Sequence, residues 1–201
     1  AACISFYATK NITSGVGGAV SPKKETAGML RMLRLHGMDK SASDRYTGLY
    51  RHYDLPLLGW KENMSNIQAA LLVGQLERID ALLEKRNRLW GIYEGALSGI
   101  KGIAILKTLR GVRHARHLFT ILVDPEKRDA VLHELQQRGV GVAVNFRPIH
   151  LLKYYRENLG RKEGDFPIAE DIGRRTISLP LYPGLGEEEV RYVIDCVKSV
   201  I

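Results

Sequence analysis

The 201-residue sequence predicts an α/β fold organised in two parts. Three observations support this. An apolar, β-leaning run enters a glycine-rich turn, a stretch of about thirty residues keeps helical spacing, and strands alternate with helices beyond Gly99. We predict that residues 1–98 form the first part together with the long helix, and that residues 99–201 form a small α/β domain.

The first part opens on ACISFYA, residues 2–8, which we expect to be a buried strand. Because a domain rarely begins on a buried strand, the start is expected to be a truncation or an interior cut. After the glycines, Ser21 is predicted to cap a helix that has Pro22 at its first position. Gly37 is predicted to end that helix.

Residues 38–62 are a polar, aromatic stretch that is too long for an idle connection. Ser65 then begins a helix, and Gln68 completes a capping box. Apolar residues continue at helical spacing to Leu97, which predicts one helix of roughly 45 Å at about 1.5 Å per residue. A helix of that length usually bridges two bodies of a protein.

The second part alternates strands and helices, which is typical of a compact α/β unit. The predicted elements are a strand at 117–123, a helix opened by Asp124-Pro125 and running to Arg138, a strand at 140–145, a helix at 167–175, a strand at 176–180 and a last helix from Glu187.

Composition narrows the classes of partner. No stretch approaches the roughly 20 apolar residues of a membrane span, and the N-terminal residues lack the pattern of a signal peptide. The net charge of +8 comes from basic residues interspersed with acidic ones, as on solvated helix faces. We therefore expect neither nucleic acid nor a membrane as a partner. Cys3 and Cys196 are isolated, which favours a reducing cytoplasm over a disulfide framework or a metal site.

Lys10 is the clearest candidate for a reactive side chain. It follows the apolar strand, and a lysine desolvated at a strand end can become a nucleophilic amine that forms Schiff bases with carbonyl compounds. The commoner alternative is a solvated loop lysine. Gly15, Gly17 and Gly18 would also suit a phosphate cradle, although neither a Walker A motif nor GxGxxG is present. The residues alone leave these interpretations open.

Ordered segments extend this motif along nearly the whole chain. They are SFYATKNIT with the GVGG turn, LRLHGM at 33–38, GWKENMSNIQAAL at 59–71, HLF at 117–119, RPIHL at 147–151 and ISLPLYP at 177–183. Together they resemble the DegT-type nucleotide-sugar aminotransferases, fold-type I enzymes that depend on pyridoxal 5′-phosphate (PLP). The resemblance implies the C-terminal part of the PLP-binding large domain, a long bridging helix and a small C-terminal α/β domain.

The same resemblance implies roles for five residues. Lys10 would carry PLP covalently and then act as the general base, and Ser5 would contact the cofactor phosphate. Asn63 would reach the phosphate of the neighbouring subunit's PLP, and Arg147 and His150 would meet the substrate. The alternatives are a Ser5 hydroxyl satisfied within its strand, an Asn63 that caps a helix, and a structural loop at 147–150.

The activity implied is transfer of an amino group from glutamate to a nucleotide-linked keto-sugar, in a cytoplasmic homodimer with shared active sites and a place in polysaccharide biosynthesis. Val16 departs from the family, which commonly has an acidic residue there. The family's pyridinium aspartate, ring-stacking aromatic and phosphate-binding helix precede the lysine segment and are not among these residues. We therefore expect the 201-residue chain to be inactive alone.

Two alternatives remain. Some relatives are PLP-dependent sugar dehydratases, but these typically carry histidine where Lys10 stands. The chain could also be a non-catalytic interaction module of the same fold that dimerises through residues 38–62 and the long helix.

Overall fold

The computed structural model describes all 201 residues except the side chain of Tyr46. The mixed helix and strand content confirms the α/β class. Two compact units divide the chain, Ala1–Ile79 and Asp80–Ile201. Residues 80–98, which the sequence analysis grouped with the first part, therefore lie in the second unit.

The first unit begins with a two-stranded antiparallel ribbon. Strand β1 (Ala2–Ser5) pairs with β2 (Gly18–Ser21), so that Ala2 lies opposite Ser21 and Ser5 opposite Gly18. The prediction of a buried strand was wrong, because every residue of β1 is exposed and burial begins only at Phe6. A two-stranded ribbon offers too little surface to cover its own side chains.

Ser21 does not cap a helix. Its backbone belongs to β2, and helix α1 runs from Lys24 to Leu33, with Lys23 as the residue before it. The Ser-Pro pair therefore ends the ribbon. The sequence signal for a cap was present, but pairing of Ser21 with Ala2 takes precedence over it.

Backbone hydrogen bonds between residues 33–36 and Trp60 join the two ends of the long segment after α1; this pairing is called the crossing below. The N–H of His36 donates to the carbonyl of Trp60 at 2.8 Å, and the N–H of Trp60 donates to the carbonyl of Leu33 at 2.7 Å. Gly37 has φ +87°, and a Cβ placed on it would lie 1.8 Å from the carbonyl oxygen of Leu57. Only glycine fits such an approach. Residues 38–58 thus form a closed loop that contains a short helix, α2 (Ala42–Tyr46).

Helix α3 (Asn66–Glu77) starts as predicted. The Ser65 hydroxyl accepts from the N–H of Gln68 at 3.2 Å, and the Gln68 side chain accepts from the N–H of Ser65 at 3.3 Å. The capping box is therefore confirmed.

The predicted single helix is two helices. Helix α3 ends at Glu77 and α4 runs from Ile79 to Leu97, separated by Arg78. The guanidinium Nε of Arg78 donates to the Gly74 carbonyl at 2.8 Å. A side chain that takes a carbonyl of the last turn interrupts the backbone hydrogen-bond ladder.

The second unit contains a three-stranded antiparallel sheet in the order β3-β4-β5. Its elements are β3 (Ala104–Ile105), β4 (Phe119–Leu122), α5 (Arg128–Gln137), a 3₁₀ turn (Ile149–Leu151), α6 (Lys153–Leu159), α7 (Pro167–Arg175), β5 (Thr176–Leu179) and α8 (Glu187–Val200). Residues 140–145 contribute one bridge, between Ala143 and Ser178, in place of the predicted strand. Helix α5 begins at Arg128 because Asp124 forms a separate turn, accepting from the N–H groups of Glu126 and Lys127.

The hydrophobic core described in this chain lies in the second unit. Helix α4 contributes Leu89, Trp90, Tyr93 and Leu97 to a cluster that includes β4, β5 and α8. The ring of Tyr93 stacks on Phe119 with centroids 4.7 Å apart. Full burial of each large apolar side chain stabilises the fold by about 1.5–3 kcal/mol. Among the described residues, no helix is both long and apolar enough to cross a bilayer.

Candidate active site

Lys10 lies in a turn that folds back onto Phe6. The N–H of Lys10 donates to the Tyr7 carbonyl at 2.9 Å, and the N–H of Ser14 donates to the Phe6 carbonyl at 3.1 Å. Lys10 is half-buried, and Phe6 is the buried residue around which the turn closes. The backbone of the turn is therefore fixed on both sides of the lysine.

Gln75 of α3 holds the far side of this turn. Its side-chain Nε2 donates to the Thr13 carbonyl at 2.8 Å, and its Oε1 accepts from the Thr13 N–H at 3.0 Å. Sequence reasoning missed Gln75. The available signal was one amide side chain in the otherwise apolar stretch AALLVGQL.

The Lys10 amine has no hydrogen-bond or ion-pair partner among the residues that the structure describes. The Ser5 hydroxyl oxygen accepts from the N–H of Tyr7 at 3.3 Å, which leaves its own proton available to donate. The turn thus offers a free primary amine and a hydroxyl donor. These groups suit a cofactor that carries both a carbonyl carbon and a phosphate.

Asn63 is exposed, and its side chain makes no hydrogen bond within the described part of the chain. The capping interpretation of Asn63 loses support, because Ser65 and Gln68 make the capping bonds of α3. Met64 packs on the glycine turn, since a Cβ added to Gly17 would lie 2.5 Å from the Met64 Cε. The segment carrying Asn63 therefore borders the turn that follows Lys10.

In the second unit, His150 is engaged with a carboxylate. Its Nε2 lies 2.7 Å from Oε1 of Glu170, and the two residues are only 8% and 3% exposed. Glu170 also accepts from the N–H groups of Gly164 and Phe166. The Gly164 N–H is the main cause that holds the pKa of Glu170 below its usual range, against the opposing effect of burial, and the His150 bond acts in the same direction. Sequence reasoning missed Glu170.

Arg147 and His150 line one cavity of about 630 Å³. Arg147 is exposed, whereas His150 contributes to the wall with its Nε2 already paired. The rest of the lining is largely apolar and comes from residues 146–149, from α6 and α7, and from the segment that connects these two helices: Phe146, Pro148, Ile149, Tyr155, Leu159, Arg161, Phe166, Ala169 and Ile172. The predicted pair is thus brought together, with Arg147 as the member free to meet an anion.

Known proteins match the chain along its length. Residues 1–198 match the model of the DegT/DnrJ/EryC1/StrS aminotransferase family. The spore coat polysaccharide biosynthesis protein SpsC of Bacillus subtilis is 37% identical over all of this chain and 54% of its own length.

Solved structures agree with the family match. Spr1654 of Streptococcus pneumoniae in its PMP form superposes with a TM-score of 0.87 and 32% identity, over 98% of this chain and 52% of that one. DesV of S. venezuelae, in complex with a ketimine intermediate, superposes with a TM-score of 0.86 and 31% identity, over 98% and 50%.

The chain spans about half the length of these relatives, which fits their C-terminal half. The lysine turn and the second unit both lie within the matched residues. The chain belongs to the DegT/DnrJ/EryC1/StrS aminotransferase family.

Proposed function

We propose that this chain supplies the cofactor lysine of a PLP-dependent aminotransferase, and that Lys10 is that lysine. The full activity would be transfer of an amino group from glutamate to a keto-sugar linked to a nucleoside diphosphate. Family membership supports amino transfer, and the PMP and PLP forms of Spr1654 support the cofactor. SpsC supports a role in polysaccharide biosynthesis.

The observation that carries the proposal is the free amine of Lys10 in a turn held by Phe6 and Gln75. An amine that serves as nucleophile and base must reach the same place in every catalytic cycle. A solvated loop lysine has no need of such a frame. The double contact from Gln75 to Thr13 therefore favours the chemical role over the structural one.

Each proposed residue then has one task. PLP, when bound, withdraws electrons from the carbon that loses a proton. The Nζ of Lys10 takes up that proton and returns it, and the Ser5 hydroxyl donates to the phosphate. Asn63 would donate to the phosphate of the second subunit's cofactor, which makes the working unit a homodimer. Arg147 would pair with the substrate diphosphate, and His150 would shape the wall beside it.

We place this activity in the cytoplasm. Cys3 is exposed and Cys196 is buried, and both are free thiols. Free thiols of this kind suit a reducing compartment.

The direct test of Lys10 is chemical. The preceding part of SpsC would be joined to Ala1, and the chimera would be incubated with PLP, reduced with borohydride and mapped by peptide mass. We expect the phosphopyridoxyl label on Lys10 and its loss in Lys10→Ala. Lys24→Ala, which removes an exposed lysine of α1, is the matched control and should keep the label. A label on another lysine, or one that survives Lys10→Ala, would show that the assignment is wrong.

The 201-residue chain without that preceding part should retain little PLP. The family contacts to the pyridine ring and most of those to the phosphate lie upstream of the lysine segment, so Lys10 and Ser5 alone would hold the cofactor weakly. A stoichiometric, stable complex of the chain with PLP would contradict this expectation.

A dehydratase is the competing activity within the family. Lys10 disfavours the dehydratase activity, because a lysine stands at the position where those relatives typically carry histidine. The discriminating assay offers glutamate and a nucleotide-linked keto-sugar to the chimera. Formation of 2-oxoglutarate with an amino sugar supports amino transfer, and loss of water without consumption of glutamate supports dehydration.

A further inference from the structure

The loop between β3 and β4, residues 106–118, is a basic segment of the chain. It contains Lys107, Arg110, Arg113 and Arg116 and no acidic residue. This segment is called the β3–β4 loop below.

The C-terminal end of the β3–β4 loop is anchored to α4. The guanidinium of Arg116 lies 4.2 Å above the ring of Trp90, and it donates to Asn87 at 3.1 Å and to Thr108 at 2.9 Å. Arg116 is thus a structural residue of the loop base. Arg113 pairs with Asp80, but both side chains are about three-quarters exposed, so this ion pair is weak and easily exchanged.

The tip of the loop projects into solvent. The N–H of Val112 donates to the Leu109 carbonyl at 3.3 Å, and Gly111 has φ +78°, as in a tight β-turn. All residues from 106 to 113 are exposed, including Leu109 at 76% and Val112 at 54%. Among the described residues, no acidic side chain pairs with Lys107 or Arg110.

The tip therefore presents apolar side chains directly beside exposed cations, of which Lys107 and Arg110 have no acidic partner among the described residues and Arg113 pairs with the exposed Asp80. Leu106, Leu109 and Val112 are each followed by a basic residue, Lys107, Arg110 and Arg113. A bilayer surface that contains anionic lipids has the complementary order, with phosphates outside and acyl chains beneath. Single-stranded nucleic acid would favour aromatic stacking residues, and residues 106–113 contain none.

We propose that the β3–β4 loop docks the protein on anionic membrane surfaces. Leu109 and Val112 enter the interface, and Lys107, Arg110 and Arg113 bind lipid phosphates. The prediction of no membrane partner rested on the lack of a spanning segment and on interspersed charges, and a peripheral contact requires no span. The cytoplasmic leaflet is the anionic one, so the contact suits the proposed compartment. The proposal does not depend on the assignment of Lys10.

The test is co-sedimentation of the whole 201-residue chain with vesicles. Vesicles of equal parts phosphatidylglycerol and phosphatidylcholine should bind the chain, and binding should fall as salt is raised. Vesicles of phosphatidylcholine alone should bind much less. Equal binding to both compositions would overturn the proposal.

Two loop variants and one control separate the contributions. Reversing both charges in Lys107→Glu with Arg110→Glu should weaken binding by at least about twentyfold, because each basic residue contributes about fivefold. Leu109→Ser with Val112→Ser should weaken it by about tenfold without any change in charge. Lys153→Glu with Arg156→Glu makes the same charge change on exposed positions of α6 and should have little effect. Thermal unfolding should be unchanged in the loop variants, since the substituted side chains are exposed.

Two outcomes would reject the membrane surface as the partner. If the α6 control loses as much binding as the loop charge variant, the attraction is a property of net charge and not of the loop. If the serine variant binds vesicles normally while a short RNA duplex displaces the chain from them, the loop is a polyanion site without an interfacial role.

Discussion

Gln75 binds both backbone polar groups of Thr13, donating to its carbonyl at 2.8 Å and accepting from its N–H at 3.0 Å. The Gln75 amide therefore satisfies both backbone polar groups of Thr13, as a neighbouring strand would, three positions after Lys10. Such two-sided contacts fix orientation as well as position. Through these two hydrogen bonds, Gln75 joins the lysine turn to α3.

Gln75→Ala should loosen the lysine turn. Loss of two partly buried hydrogen bonds weakens local stability by about 1–2 kcal/mol, so the Thr13 and Ser14 amides should exchange with solvent about five- to thirtyfold faster. Hydrogen exchange read by mass spectrometry measures this. Gln136→Ala, at an exposed position of α5, should leave the rates unchanged. Normal exchange at Thr13 in the Gln75 variant would show that the clamp is not what holds the turn.

Glu170 should make the stability of the second unit fall at acidic pH. Because its pKa is lowered in the folded state, its contribution is complete above the ordinary carboxyl value of about 4.3 and is lost as the pH falls through the lowered value. Glu170→Gln should melt at a lower temperature at pH 7, and its melting temperature should fall less between pH 5 and 3 than that of the unmodified chain.

A matched control for Glu170 lies on α4. Glu94 is exposed and has no side-chain hydrogen bond or ion pair among the described contacts, so Glu94→Gln should leave both the melting temperature and its pH dependence near those of the parent. If Glu170→Gln and Glu94→Gln give the same pH profile, the bonds from Gly164, Phe166 and His150 are not the source of acid sensitivity.

Arg86 should be a strong determinant of stability. Its buried guanidinium donates to the carbonyls of Arg116, His117 and Leu181 at 3.1, 3.4 and 2.9 Å. Arg86→Ala leaves these acceptors without that donor and should lower the free energy of unfolding by about 3 kcal/mol. Arg88→Ala, on the same helix as Arg86, removes an ion pair between the exposed Arg88 side chain and Glu187 of α8, and it should lower the free energy of unfolding by less than about 1 kcal/mol. Urea titration of both variants measures the difference, and equal losses would refute the structural role of Arg86.

Gly37 should tolerate no side chain. In Gly37→Ala the Cβ overlaps the Leu57 carbonyl and the residue keeps a left-handed φ, so the crossing should open at a free-energy cost of at least about 2 kcal/mol. Faster exchange of the His36 and Trp60 amides would report the opening. Gly28→Ala has open space within α1 and should stabilise the helix by about 0.5–1 kcal/mol. Unchanged exchange in the Gly37 variant would mean that the crossing can shift without loss.

Local signals predicted the elements that depend on local chemistry. The Ser65–Gln68 box, the helix at Pro167–Arg175 and the acidic start of α8 at Glu187 appear where the sequence analysis placed them. Each depends on a cap or a dipole effect within one helical turn. Such effects can be read from a few adjacent residues.

The features that the sequence analysis predicted wrongly or did not identify depend on contacts that local patterns do not show. Ser21 pairs with Ala2 in the ribbon and therefore does not cap a helix. The break at Arg78 coincides with a hydrogen bond from its side chain to the Gly74 carbonyl, although the apolar pattern of the sequence continues through it. His150 could be named from its motif, but its partner Glu170 lies 20 residues away and has no periodic relation to it. Long-range contacts of this kind leave no trace in spacing.

The crossing at Gly37 leaves the loop that it closes free to diverge. The hydrogen bonds that join Leu33, His36 and Trp60 use backbone atoms alone, so they impose no side-chain identity on residues 38–58. Insertions, deletions and substitutions within that loop can accumulate while its two ends stay where they are. The ends of the loop are thus fixed by the backbone, whereas the sequence of residues 38–58 can vary without disturbing the lysine turn.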